Sequence, residues 1–280
     1  MQKHSFEINI KEPVEAAIAH VSGRTPIGAI MAVAMYRRPT TREYLQQYVA
    51  KKAKAGPLAN IMAGTFHNKQ GHVVARKGLD ESEEAKLHRA ASEIRKMLPM
   101  LFIVPAMAQV RFEHTVSLQS WVNFLHSHPL VPEDNRMTYA LGLYHGFHGD
   151  YIAACHILMP QLENSLRHIL KEAGEETSKL NAEGLQEEKS LSQLLQMPRL
   201  EQILGADLVF DLKGLLDEKS GDNFRHLLLH GLQDDADLEG SLPVYFYWLV
   251  LYMVFAPLNK EGLDLGKKTN GKRQIEEINV

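Results

Sequence analysis

The chain has a single cysteine, Cys155. No intrachain disulfide can form, and a cysteine-rich metal site is excluded. It also lacks a basic excess: the formal net charge is -3. A general electrostatic footprint for nucleic acid is therefore missing, and any such contact must come from a local patch. The first residues, Met1 to Glu7, carry no apolar signal region. No internal repeat and no low-complexity tract occurs. These absences are compatible with a cytoplasmic location, which we take as the expectation.

Long apolar runs are nearly absent too. The one exception, Leu242 to Leu258, reaches the lower edge of membrane-span length. Pro243 and Pro257 sit near its ends, and we read it as a buried core helix rather than a membrane segment. With 45% hydrophobic and 23% charged residues in 280, the composition is that of an ordinary globular protein of one large or two small domains.

What is present is mostly helical periodicity. Ala29 to Tyr36 is short and apolar, and Thr41 to Ala55 is amphipathic with a basic end that suits a helix C-terminus. Residues 65–78, rich in glycine around His72-Val73-Val74-Ala75, read as a small hairpin or an extended loop. Asp80 with Glu83 three residues on resembles a capping box opening a long helix, with Leu87, Ala91, Ile94 and Leu98 as its stripe. Pro99 and Pro105 predict a kinked or separate helix over Met100 to Phe112. Leu118 to Leu125 supplies a further turn or two, and the prolines within 126–133 make a connector.

A helix then runs from Asp134 to about Tyr144, broken by Gly146 and Gly149. The best-defined helix spans Asp150 to Ala173, and Pro160 inside it predicts a kink. The polar stretch 175–190 reads as an exposed, mobile connection. Short helices follow over 191–196, 200–204 and 208–216, and a last one over 241–255. Residues 259–280 read as a disordered tail.

The chemistry-bearing stretch is Gly221-Asp222-Asn223-Phe224-Arg225-His226-Leu227-Leu228-Leu229-His230-Gly231. Leu227, Leu228 and Leu229 call for burial beside three ionisable groups. As a helix ending at Gly231, it puts His226 and His230 on one face. Arg225 and His230 then stand about 140° apart. A histidine can move protons near neutral pH, and arginine offers a fixed, permanently charged fork to phosphate. The pair suits phosphoryl chemistry without a metal. An Arg–x4–His spacing is a weak signal by itself, and the same residues also suit a satisfied structural helix end. On the preceding long helix, His156, Glu163 and Arg167 fall within about 40° of one another. Glu163 and Arg167 also form an i,i+4 ion pair. His145, His148, Asp150 and His156 offer a rival, zinc-like donor set.

The focal segment resembles the signature of the HEPN superfamily (higher eukaryotes and prokaryotes nucleotide-binding). Within it, the chain is similar to a mostly bacterial family marked by Arg-Asn-x-x-x-His-Gly. Here the motif reads Arg225-His226-x-x-x-His230-Gly231, with His226 where that family usually has Asn. The likeness extends through Pro129-Leu130-Val131-Pro132, Gly142-Leu143, Gly149-Asp150-Tyr151 and Leu158 to Asn164 with Arg167. It covers about residues 55–258. The resemblance implies a mainly α fold: an irregular N-terminal helical region over 1–125 and a HEPN-like helical bundle over 126–258. It implies a metal-independent endoribonuclease, in a toxin or phage-defence role. Its substrate is RNA, it acts as a homodimer, and there is room for an unidentified regulatory partner. Arg225, His226 and His230 become the catalytic residues, supported by Asn223, Glu163 and Arg167, with no metal and no cofactor. The alternative within the resemblance is a non-catalytic RNA-, nucleotide- or protein-binding module.

Overall fold

The computed structural model describes residues 10–55, 64–67, 73–77 and 82–259. The protein is mainly α. Helices α1 (Lys11–Val21), α2 (Pro26–Met35) and α3 (Arg42–Ala55) come first. Strands β1 (Gly64–His67) and β2 (Val73–Lys77) pair antiparallel, so the glycine-rich stretch is a hairpin. Helix α4 (Glu83–Leu98) follows, then a π-helical turn (Pro99–Ile103) and α5 (Val104–Glu113). The two prolines thus convert the expected kink into a local change of helical pitch. The cap of α4 is Ser82, whose Oγ accepts from the Ala85 N–H at 3.2 Å. The expected cap, Asp80, lies outside the described residues.

Next come α6 (Leu118–Phe124), a 3₁₀ turn (Glu133–Asn135), α7 (Arg136–Phe147) and α8 (Tyr151–Glu172). Asp150 caps α8 through the Ala153 N–H at 3.0 Å, and the helix continues through Pro160. Contrary to the expectation from sequence, Gly146 does not break α7. It lies inside that helix, where the Tyr247 ring presses so close that a Cβ would sit 2.1 Å from Cε2. The break comes at Gly149, whose φ of 89° suits only glycine.

Residues 175–190 correct a second expectation. Strands β3 (Ser178–Leu180) and β4 (Gln186–Glu188) form an antiparallel hairpin there. Asn181 organises its turn, with its side-chain oxygen accepting from the Glu183 and Leu185 N–H groups. The remaining helices are α9 (Leu191–Leu195), α10 (Pro198–Leu204), α11 (Ala206–Leu216), α12 (Phe224–Leu229), α13 (Asp235–Leu238) and α14 (Ser241–Phe255).

Helix α14 is the axis of the fold. Its sequence from Ser241 to Phe255 carries no charge on any face, and Pro243 through Leu251 are all buried. A helix apolar all round belongs inside a core. Among the described residues, 235–255 is the one segment apolar and long enough to cross a membrane. Its place here is at the centre, against α2, α4, α7 and α8. Its polar atoms are matched individually, which sets its rotation and depth. Tyr247 Oη donates to Leu143 O at 2.9 Å, Trp248 Nε1 to Val33 O at 3.2 Å, and Tyr245 Oη to Asp211 Oδ2 at 2.7 Å. Cys155 is fully buried on α8 with its Sγ 3.7 Å from Pro243 O, and burial pushes its thiol pKa up. The core runs continuously from Ala17 to Val254, so packing crosses the boundary expected near residue 125.

Candidate functional site

The focal segment forms α12, six residues closed at both ends by backbone geometry. Asn223 sits at its N-cap in the left-handed region (φ 48°), and its side chain makes no capping bond. The C-terminus is a Schellman motif. Gly231 takes φ 62°, its N–H reaches Leu228 O, and the Leu232 N–H reaches Leu227 O at 2.9 Å. Phe224 and Leu228, four residues apart, point into the core. Leu229 does not, contrary to expectation, and is 49% exposed. One face of so short a helix is all the core receives, and Leu229 lies off it.

The predicted site residues fall into two groups. Arg225 turns to α8, where its Nη2 donates to Glu163 Oε2 at 3.1 Å. The other oxygen of Glu163 accepts from Arg167 Nη2, also at 3.1 Å. One carboxylate therefore holds two guanidinium groups. Arg167 continues to the β3–β4 hairpin, pairing with Glu188 at 3.0 Å and donating to Lys189 O. Lys171 closes the row on Glu188 at 3.1 Å. Arg225 keeps 31% of its side chain exposed, so this guanidinium is both anchored and reachable.

The histidines form the second group. The His226 and His230 rings lie 4.5 Å apart, tilted by 54°, on the exposed side of α12. Among the described residues, no hydrogen bond or ion pair joins Arg225 to either of them. The spacing thus placed the histidines together, as expected, and sent the arginine the other way round the helix.

The rival donor set does not converge. His145 Nδ1 pairs with Asp150 at 3.0 Å, His148 Nδ1 donates to Tyr144 O, and His156 Nδ1 donates to Ile152 O. Each ring is tied to its own stretch of chain. Among the described residues no group of three His, Cys, Asp or Glu could hold a metal ion.

Sequence reading missed a buried ionic cluster immediately before α12. Arg95 on α4 is 1% exposed and forks between two carboxylates. Its Nη1 meets Asp211 Oδ1 on α11 at 2.7 Å, and its Nε meets Asp222 Oδ2 at 2.6 Å. Ser92 Oγ donates to Asp222 Oδ1 at 2.5 Å, and Tyr245 holds the far oxygen of Asp211. Burial works against the Arg95 charge, but Asp211 and Asp222 outweigh it and keep the guanidinium firmly protonated. Burial raises the Asp211 pKa, with Arg95 opposing. His88 stacks on Phe210 with ring centres 4.1 Å apart. Burial first, and then Arg95, Arg42 and Lys213, lower its pKa to about 4, so it is neutral.

Two glycines make room for this cluster. A Cβ on Gly214 would stand 2.5 Å from His88 Nδ1, and one on Gly221 would stand 2.0 Å from Gly214 O. The backbone N–H of Asp222 donates to that same Gly214 O at 2.8 Å. A signal for the cluster did exist in the sequence. His88, Ser92 and Arg95 recur at i, i+4 and i+7, which is a polar stripe on an otherwise amphipathic helix.

Compared with family models, with curated proteins and with solved structures, the chain finds no match.

Proposed function

We propose that the protein is a metal-independent endoribonuclease of HEPN type, with Arg225 as phosphate clamp and His230 as proton carrier. The observation that carries this reading is Arg225 itself. It is a surface-reachable guanidinium held at a fixed place by Glu163, on the same short helix that presents His226 and His230 to solvent. A fixed fork of donors is what a phosphodiester needs for charge stabilisation. In the reaction a ribose 2′-hydroxyl loses its proton to water and attacks the adjacent 3′-phosphorus, so that an O2′–P bond forms, the P–O5′ bond breaks and a 2′,3′-cyclic phosphate results. A histidine passes a proton to the leaving oxygen. Glu163 occupies the guanidinium edge in the free protein, so substrate phosphate shares or displaces that contact. Asn223 and Arg167 support the site, His226 flanks it, and the toxin or phage-defence role, the cytoplasmic location and the homodimer belong to the same reading.

The second reading is a non-catalytic RNA-, nucleotide- or protein-binding module. It is favoured by the separation just described, since clamp and proton carrier are not joined within one chain.

The test measures RNA cleavage in chelator, with melting temperature on the same preparations. Wild type should cut, and His230→Ala should lose about 100- to 10,000-fold in rate at an unchanged melting temperature. Arg225→Lys keeps the charge but loses the fork, and should also fail. RNA binding without cleavage in the wild type selects the binding module. A His230→Ala protein that cuts at the wild-type rate removes the catalytic assignment.

A further inference from the structure

Helix α12 has little of its own to hold it in place. Six residues make about 9 Å of helix, well below the length that persists alone in water. Its N-terminus lacks a side-chain cap, and its apolar anchorage is Phe224 and Leu228. The residue just ahead of it is different. Asp222 is tied by its backbone N–H to Gly214 O, by one carboxylate oxygen to Ser92 and by the other to Arg95. Arg95 in turn is fixed by Asp211, and Asp211 by Tyr245 of the central helix. Three core helices therefore converge on the residue from which α12 departs.

Such a cluster is a poor source of net stability. Desolvating a guanidinium and two carboxylates offsets most of their attraction, and apolar replacements of buried ion pairs are often as stable. What the forked pair adds is a narrow choice of position, because Nε and Nη1 of Arg95 each meet a different carboxylate at a fixed angle. Gly221 meets the Gly214 backbone at this point, which is possible only because Gly221 has no side chain. The chain is thus held to a narrow tolerance three residues before Arg225.

We propose that Arg95 and Asp222 are positioning residues for the Arg225–His230 site: their buried pair sets where α12 starts and therefore where its guanidinium and imidazoles stand. The proposal rests on the reading of Arg225 and His230 as the site. Neither Arg95 nor Asp222 touches substrate. They act through the αL turn at Asn223.

The experiment uses the full chain as wild type, Ser92→Ala, Asp222→Asn and Arg95→Lys. Hydrogen exchange is read at the amides of Leu227, His230, Gly231 and Leu232, which close α12. Single-turnover RNA cleavage and RNA affinity are read alongside. In Asp222→Asn and Arg95→Lys, exchange at those four amides should speed up by about tenfold or more while the amides of α8 keep their wild-type rates. Cleavage should fall by about tenfold or more with RNA affinity within about twofold, because the Arg225 charge is untouched and only its aim is lost. On a His230→Ala background, Asp222→Asn should cost nothing further, as expected for residues acting as one unit. If the two charged-site variants do not fold, Ser92→Ala carries the test, since it removes one hydroxyl and one bond to Asp222. It should speed α12 exchange by about threefold, still confined to those amides. Exchange that rises equally in α8 and α12, or that leaves α12 unchanged, overturns the proposal. A wild type that does not cut RNA defeats the ribonuclease reading alone, and the exchange pattern then decides the positioning role by itself.

Discussion

Replacing Arg95 by methionine should be among the most damaging single changes in this protein. Methionine fills much of the arginine stem's volume, so the loss is one of charge and hydrogen bonds rather than packing. Two bonds vanish, to Asp211 Oδ1 and Asp222 Oδ2. Each carboxylate keeps one donor, from Tyr245 and Ser92 respectively. Orphaning a buried ionic partner costs about 3–5 kcal/mol. In a domain this size that corresponds to a fall of about 6–10 °C in melting temperature, at roughly 2 °C per kcal/mol. The pH dependence has a definite sign. Burial already raises Asp211, and without Arg95 the main opposition to that rise is gone. A carboxyl whose folded pKa lies above its unfolded value stabilises the fold at low pH and loses that contribution as pH rises through the folded value. The deficit of Arg95→Met should therefore be full at pH 8 and shrink on acidification towards about pH 5. Urea unfolding at the two pH values measures it. Adding Asp211→Asn and Asp222→Asn to Arg95→Met should restore most of the loss. A deficit under about 1 kcal/mol, the size of an exposed ion pair, or one that grows on acidification, would refute the reasoning.

Two further outcomes follow from the packing. Gly146→Ala forces a methyl into the Tyr247 ring and should cost about 1–3 kcal/mol, read as a melting temperature lower by about 2–6 °C; an unchanged melt would show that the ring yields freely. His88 has its folded pKa depressed to about 4, so the unfolded chain takes up its proton first as pH falls through about 6.5. Wild type should therefore lose about 3 kcal/mol of stability by pH 4 from this group alone, while His88→Leu should not; parallel pH profiles for the two proteins would remove the assignment.

The helices were legible because their signals are local. The stripe of α8, its Asp150 cap and the closure of α12 at Gly231 all depend on residues within a turn or two of one another. Gly146 was misread for the opposite reason. Whether a glycine breaks a helix or admits a neighbour depends here on Tyr247, a hundred residues away. The β3–β4 hairpin was hidden by its polarity, since its strands show no apolar alternation and only the Asn181 turn announces it. At the candidate site the two histidines could be placed together from their spacing. The partner of Arg225 could not, because Glu163 lies 62 residues away on another helix. The Arg95 cluster joins four segments distant in sequence, and only its polar stripe on α4 was visible in advance.

The lone thiol at the α8–α14 seam has a practical consequence. Cys155 is sealed against Pro243, and its thiolate is disfavoured, so thiol reagents reach it only when the two central helices part. The native chain thus carries a built-in clock for opening of its deepest seam: the rate of labelling under excess reagent reads that event directly. It also leaves the surface chemically silent. A cysteine introduced on α12 would be the sole fast-reacting position, and a dye or spin label placed there would report the site without competition from the interior.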